Sequence, residues 1–152
     1  MEMTNIEFDR IIAERKQFDN DNNIIILPIG GGKVNLIANF TESDEYINVY
    51  LRSSKRNLEK LSQNSTYQDN TILIRIDLEP TAPHQNPDGQ IIRESHIHIY
   101  KEGFGDKWAT PLKDICDNIN LKEEDLNNKH KIFEYFCWRL SIDKTWQEQL
   151  GF

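Results

Sequence analysis

What this sequence has little of narrows the reading first. Only two cysteines, Cys116 and Cys137, stand among 152 residues. They are too few for a disulfide framework and read as reduced thiols. The longest aliphatic run, Ile24 to Leu27, falls far short of the ~18 residues of a membrane-spanning helix, so no membrane association is expected. The start, Met1-Glu2-Met3-Thr4, carries neither the basic nor the apolar part of a signal peptide, which makes the cytoplasm of a bacterial host the expected location. Positive charge is in deficit, with 18 Lys+Arg against 25 Asp+Glu for a net −7. That balance argues against direct nucleic-acid binding and suits either an ordinary soluble surface or a basic partner. Alanine occurs four times against 20 isoleucines and 15 asparagines, the signature of AT-rich coding DNA and hence of a low-GC bacterium or its phage.

What is present suffices for one folded domain spanning residues 1–152. Hydrophobic residues make up 38% and aromatics 10%, and a chain of this length buries roughly 68–70% of its extended surface. Thr4 with Glu7 forms a capping-box pattern, and Phe8, Ile11, Ile12, Arg15 and Phe18 keep helical spacing, predicting a helix that stops near Asp19. The polar run 19–23 reads as a turn. Ile24 to Ile29, three glycines, then Val34 to Phe40 read as a hairpin. Ile47, Val49 and Leu51 alternate with Tyr46, Asn48 and Tyr50 as a third strand. Residues 52–70 lose the alternation and read as a loop or short helix with a local cationic patch, Arg52, Lys55, Arg56 and Lys60.

Alternation returns with Ile72, Ile74, Ile76 and Leu78 on one face and Leu73, Arg75, Asp77 and Glu79 on the other. A fifth strand is expected over 93–100, after a proline-rich loop at 80–89. A cap pattern at 120–123 precedes the stripe Ile132, Phe133, Phe136, Cys137 and Leu140, and Trp146 with Leu150 predicts a last short helix. The expected class is α+β: an N-terminal helix, about five mostly antiparallel strands and C-terminal helices.

The chemistry concentrates in the histidines. His96 and His98 lie two apart on a strand, so both imidazoles leave one face while Ile97 and Ile99 face the core. His84, in the proline-rich loop, is placed to close over the same face. Asp77 or Asp88 supplies an oxygen ligand or orients a ring nitrogen, and Cys116 is a further candidate for a fourth ligand. Three readings fit the pair: half-exposed polar residues alternating with Ile, metal-free acid-base work, or a metal site of His84, His96, His98 and Asp77. For the metal site the imidazole and carboxylate donors point to zinc. Cys137, on an apolar stripe, reads as a buried thiol, and Gly30-Gly31-Gly32 precedes a strand where a phosphate loop needs a helix.

The combination Pro83-His84-Gln85-Asn86-Pro87-Asp88-Gly89, His96-Ile97-His98-Ile99-Tyr100 and Glu102-Gly103-Phe104-Gly105-Asp106-Lys107-Trp108-Ala109 resembles a family of small phage and prophage proteins of low-GC Gram-positive bacteria. The match covers about residues 74 to 112. The family looks like one from which type II anti-CRISPR proteins have come, including zinc-containing inhibitors of the RNA-guided effector nuclease. That resemblance implies an inhibitor with a zinc site that binds the basic surface of a bacterial effector nuclease and blocks nucleic-acid loading or cleavage. Glu42, Asp44 and Glu45, or Glu123, Glu124 and Asp125, are the carboxylates such a surface offers. The competing expectation is an enzyme, a metal-dependent or histidine-based nuclease of a toxin or defence system. Ligand count separates them, because four protein ligands close a zinc site and three leave it open for chemistry.

Overall fold

In a computed structural model, which describes residues 2–19, 24–68 and 70–150, Thr4 caps the first helix as its sequence predicts. Its hydroxyl accepts from the Glu7 amide at 3.1 Å, and α1 (Asn5–Ala13) turns Phe8 and Ile11 into the core. The strands, in chain order, are β1 (Lys16–Phe18), β2 (Ile24–Leu27), β3 (Lys33–Phe40), β4 (Tyr46–Ser53), β5 (Leu61–Tyr67), β6 (Thr71–Leu78), β7 (His84–Gln85), β8 (Ile91–Ile92), β9 (His96–Ile99), β10 (Ala109–Pro111) and β11 (Gln147–Leu150). A second helix, α2 (Lys129–Arg139), precedes β11. Seven strands form one sheet in the order β1-β3-β4-β5-β6-β9-β10, with every neighbouring pair antiparallel. The α+β class holds, with more than twice the expected number of strands.

The first helix ends earlier than its apolar spacing suggests. Glu14 is already extended, and residues 16–18 pair with β3, Lys16 opposite Phe40. The cause is the fully buried Lys16 ammonium. It donates to Ile11 O (2.5 Å), Glu14 O (2.7 Å) and Leu140 O (2.7 Å), carbonyls at the C-terminal ends of α1 and α2, and lies 4.7 Å from the Phe40 ring centroid. Helix ends leave such carbonyls unpaired and carry partial negative charge, so one cation satisfies both.

Other expectations fail for non-local reasons. No hairpin joins β2 to β3, because β2 pairs in parallel with β11, Ile24 opposite Gln147. The turn expected at 19–23 falls, for residues 20–23, outside the described residues. Residues 147–150 are therefore a strand, and the short terminal helix is absent there. Segment 61–67, Leu-Ser-Gln-Asn-Ser-Thr-Tyr, is a central strand and no loop; it is buried because β4 and β6 flank it. The cap pattern at 120–123 opens only a 3-10 turn, Glu123–Asp125, and the real cap of α2 is Asn128, whose Oδ1 accepts from the His130 and Lys131 amides. The expected stripe Ile132, Phe133, Phe136, Cys137 and Leu140 is wholly buried. The Phe18 ring lies 6.2 Å from Phe133 and 5.1 Å from Trp146.

One consequence positions the site. Ile47, Val49, Leu51, Ile74, Ile76, Leu78 and Ile97 join the apolar faces of both helices in a single cluster. The alternate residues of the same strands, among them Tyr50, Arg52, Ser62, Arg75, Asp77, His96 and His98, share the other face.

Candidate metal centre

Two strands and two loops build the site. β6 and β9 pair with Asp77 opposite His96 and Arg75 opposite His98. Partners across a sheet project to the same face, so the four polar side chains stand together while Ile74, Ile76, Ile97 and Ile99 turn to the other side. The loop carrying His84 is bolted down by Asn86. Its amide nitrogen donates to Ala109 O (2.9 Å), and its oxygen accepts from the Ala109 amide (2.8 Å), both buried. The segment after β9 folds back in a turn, with Lys101 and Gly105 exchanging backbone hydrogen bonds, and Gly103 at φ +86° takes the left-handed conformation that glycine favours. That return brings Asp106 and Lys107 over the histidines.

The geometry of the group is tight. His96 Nε2 lies 3.4 Å and His98 Nε2 3.5 Å from Asp77 Oδ2. The three ligand atoms all fall within 4.8 Å of one another. Exposure is 8% for Asp77, 2% for His96 and 3% for His98. His96 Nδ1 lies 2.8 Å from Glu94 O and His98 Nδ1 2.7 Å from Asp106 O. A carbonyl only accepts, so each Nδ1 carries the proton, and in the neutral ring each Nε2 presents a lone pair to Asp77. Burial pushes the Asp77 carboxyl up, but the contacts with His96 and His98, the charge of Arg75 and a hydrogen bond from Ser62 together hold it well below the ordinary carboxylate range. Arg75 Nε touches the same Oδ2 at 3.0 Å.

Two lone pairs and a carboxylate oxygen turned on one another repel unless a proton or a metal ion stands between them, and it is as donors to Asp77 that His96 and His98 hold its carboxyl down. Tetrahedral zinc, with bonds of about 2.0–2.2 Å, holds neighbouring ligand atoms about 3.3–3.6 Å apart, a range that takes in the 3.4 and 3.5 Å between Asp77 and the two histidines. Backbone carbonyls on the outer nitrogens fix ring orientation as they do around ligated histidines. Asp77, His96 and His98 thus form a group that could hold a metal ion.

The structure brings together three of the four expected ligands. His84 stands beside them, its ring centroid 4.6 Å from that of His98 and 5.8 Å from that of His96. Its Nε2 is engaged with Lys107 O at 2.8 Å, and it lies outside the convergent group. Asp88 caps its own turn by accepting from the Gln90 amide, and Cys116 packs against the hydrophobic core, so neither joins. His130, at the start of α2, is half-buried and meets Glu148 Oε2 at 3.0 Å.

Away from the sheet, the group opens into a cavity of about 690 Å³. Its walls carry four cations, Arg52, Lys60, Arg75 and Lys107, against two carboxylates, Asp77 and Asp106. By sequence alone the cationic run 52–60 suits a solvated face, a phosphate or an acidic partner; the fold puts two of its cations, Arg52 and Lys60, on the wall. Arg75 was legible as a neighbour, since it stands two residues from Asp77 on the same strand face. Asn86 was not, because its role depends on where Ala109 lies.

The chain gives no match to the curated proteins and none to solved structures. One family model, described as "Family of unknown function (DUF6978)", matches residues 3–142, which takes in the whole seven-stranded sheet and both helices. On that match the chain belongs to the DUF6978 family.

Proposed function

We propose that Asp77, His96 and His98 hold a divalent ion, zinc by their donor set, and that the protein is a metal-dependent phosphodiesterase, a nuclease. One observation carries this reading: the three donors converge from one sheet face, and the side opposite them opens on a cationic cavity. When bound, zinc supplies Lewis acidity and lowers the pKa of water. Arg52, Lys60 and Lys107 attract and orient the anionic ester. Arg75 keeps Asp77 ionised and aimed. His84 bonds Lys107 O through Nε2, which leaves Nδ1 as an acceptor for a proton at the cavity wall. In the reaction the oxygen of water bonds to phosphorus, the bond from phosphorus to the leaving oxygen breaks, and the proton given up by water passes to that oxygen.

The test is elemental analysis of protein purified without a histidine tag, joined to hydrolysis of bis(p-nitrophenyl) phosphate. The expected result is one zinc per chain and turnover that chelation abolishes and zinc restores. Metal-free protein that takes up no zinc, or zinc-loaded protein without turnover, refutes the reading.

The inhibitor reading has its own support. Glu42 and Asp44 are exposed on the turn between β3 and β4, beside the half-exposed ring of Tyr46 and a groove of about 560 Å³. An acidic edge with an aromatic ring suits the basic surface of a bacterial effector nuclease, as the resemblance implies. Glu45 is occupied by Arg10 and Tyr67, so Glu42 and Asp44 carry the charge. A plasmid-interference assay with the effector nuclease present tests it, and a wild-type chain that fails to protect ends it.

A further inference from the structure

We infer that the cavity and the open sheet face beyond it form a track for single-stranded nucleic acid, a phosphate seated between Arg52, Lys60 and the Asp77-His96-His98 group. The inference rests on the phosphodiester reading above and names its substrate class.

Three observations lead to it. The group lies on the floor of the cavity, each member less than a tenth exposed, and 690 Å³ is the size of a site for one small ligand or a nucleotide. A duplex holds its phosphates on a stiff rod with a persistence length of about 50 nm, so it cannot bend one into a recess of this size. An unpaired strand, a loop or a frayed end can.

The second observation is the row of side chains leading away from the group. Register aligns Lys33, Arg52, Ser62, Asp77 and His96 across five strands, and beside them Asn35, Tyr50, Asn64, Arg75 and His98. At about 4.8 Å per strand, Tyr50 stands ~14 Å from His98 on the same face. There a half-buried ring offers a base a stacking surface next to the cations, which is how sequence-tolerant single-strand sites are built.

The third observation is the sorting of charge. In a chain of net −7, these two rows and the cavity wall carry Lys33, Arg52, Lys60, Arg75 and Lys107 against Asp77 and Asp106. The total charge disfavours nucleic acid on the surface at large, yet the cavity lining carries more cations than carboxylates, with Arg52, Lys60 and Lys107 left over once Arg75 pairs with Asp77 and Asp106.

The test is fluorescence anisotropy on the full, zinc-loaded chain with labelled single strands of about 12 nucleotides, one of RNA and one of DNA, and with a duplex of the same sequence. A single strand of either sugar is expected to bind at least about tenfold tighter than the duplex, and whichever is tighter identifies the source. Replacing Arg52→Ala and Lys60→Ala together is expected to lower the slope of log Kd against log salt by about 0.7, the value for the one phosphate they share. Tyr50→Ala is expected to weaken binding at least about fivefold. Zinc content stays at the wild-type value in both variants. A duplex that binds as well as the single strand, or an Arg52/Lys60 variant with unchanged affinity and salt slope, overturns the inference. Failure of the underlying reading looks different: strand binding persists, but zinc uptake or ester hydrolysis is missing.

Discussion

Replacing Asp77 by Asn separates a metal centre from a metal-free polar cluster, because only a metal centre has a zinc-dependent gain in stability to lose. The side chain keeps its size and loses its charge. Zinc that binds only the folded chain, at about 100 to 1,000 times its Kd, adds ~2.7–4.1 kcal/mol. For a chain of 152 residues each kcal/mol moves Tm by about 2–4 °C, so wild type should melt ~5–16 °C higher in zinc than in chelator. Losing one of three charged or imidazole donors at 3.4–3.5 Å spacing should weaken zinc about 100-fold or more, ~2.7 kcal/mol, which removes most of that shift.

In chelator that loss is absent. The Asn amide can donate to one Nε2 lone pair, turning an acceptor–acceptor contact into a hydrogen bond worth about 0.5–1.5 kcal/mol. Against this stands the ion pair with Arg75, whose side chain is 39% exposed and which therefore contributes only ~0–1 kcal/mol after screening by solvent. With both rings neutral the metal-free variant should melt close to metal-free wild type; where the rings donate to the carboxylate, loss of the contacts with His96, His98 and Ser62 lowers it instead. Calorimetric melting of both proteins, with zinc and with chelator, reads all four values. A wild-type Tm that is the same in zinc and chelator, or an Asp77→Asn variant that keeps the full zinc shift, refutes the reasoning.

Three further outcomes follow from the packing. Lys16→Met should cost about 3–5 kcal/mol in urea unfolding, since it strips two buried carbonyls and one part-buried carbonyl of their donor; a loss below ~1 kcal/mol would show that the two helix ends do not depend on it. The hydrogen bonds of Arg10 and then Tyr67 hold the Glu45 carboxyl down to about 2 from 4.5. The carboxylate form belongs to the folded state, so its stabilisation is complete above about pH 4.5 and is lost as pH falls toward 2. At ~1.4 kcal/mol per unit the ceiling is about 3.4 kcal/mol, and partial exposure of the pair reduces it to ~1–2 kcal/mol. Glu45→Gln should flatten that limb of the stability curve, and an unchanged acid limb would remove the assignment. Asn86→Ala breaks two buried hydrogen bonds to Ala109 and should cost ~2–3 kcal/mol, with faster hydrogen exchange at the Ala109 amide as its local sign.

Local spacing carried a good deal of this protein. The alternation of 46–51 and 71–78 placed two strands, and both faces of the first and of 74–78, while Leu73, expected on the polar face, is fully buried in the core beyond the register shift at Asn64/Thr66; the stripe from Ile132 to Leu140 marked the buried side of α2. His96 and His98 were paired on one face by their two-residue interval alone, with Asp77 on the polar face of its own strand. These are period-two and period-3.6 facts, which any window of sequence contains. Residues 61–67 show the limit: seven mostly polar residues lie in the middle of the sheet, and only neighbours remote in sequence explain their burial.

What the sequence by itself determined is therefore the class, the amphipathic elements and the projection of the two histidines, because side-chain direction follows from backbone period. Which strands adjoin was decided by tertiary structure. The parallel pairing of β2 with β11, the Lys16 ammonium shared by two helix ends, and the register that sets Asp77 beside His96 with Arg52 two strands away all join residues far apart in the chain. The same register put cations on the wall of the cavity in a chain of net negative charge. A total charge is a sum over residues, and a site feels only those that folding brings within reach.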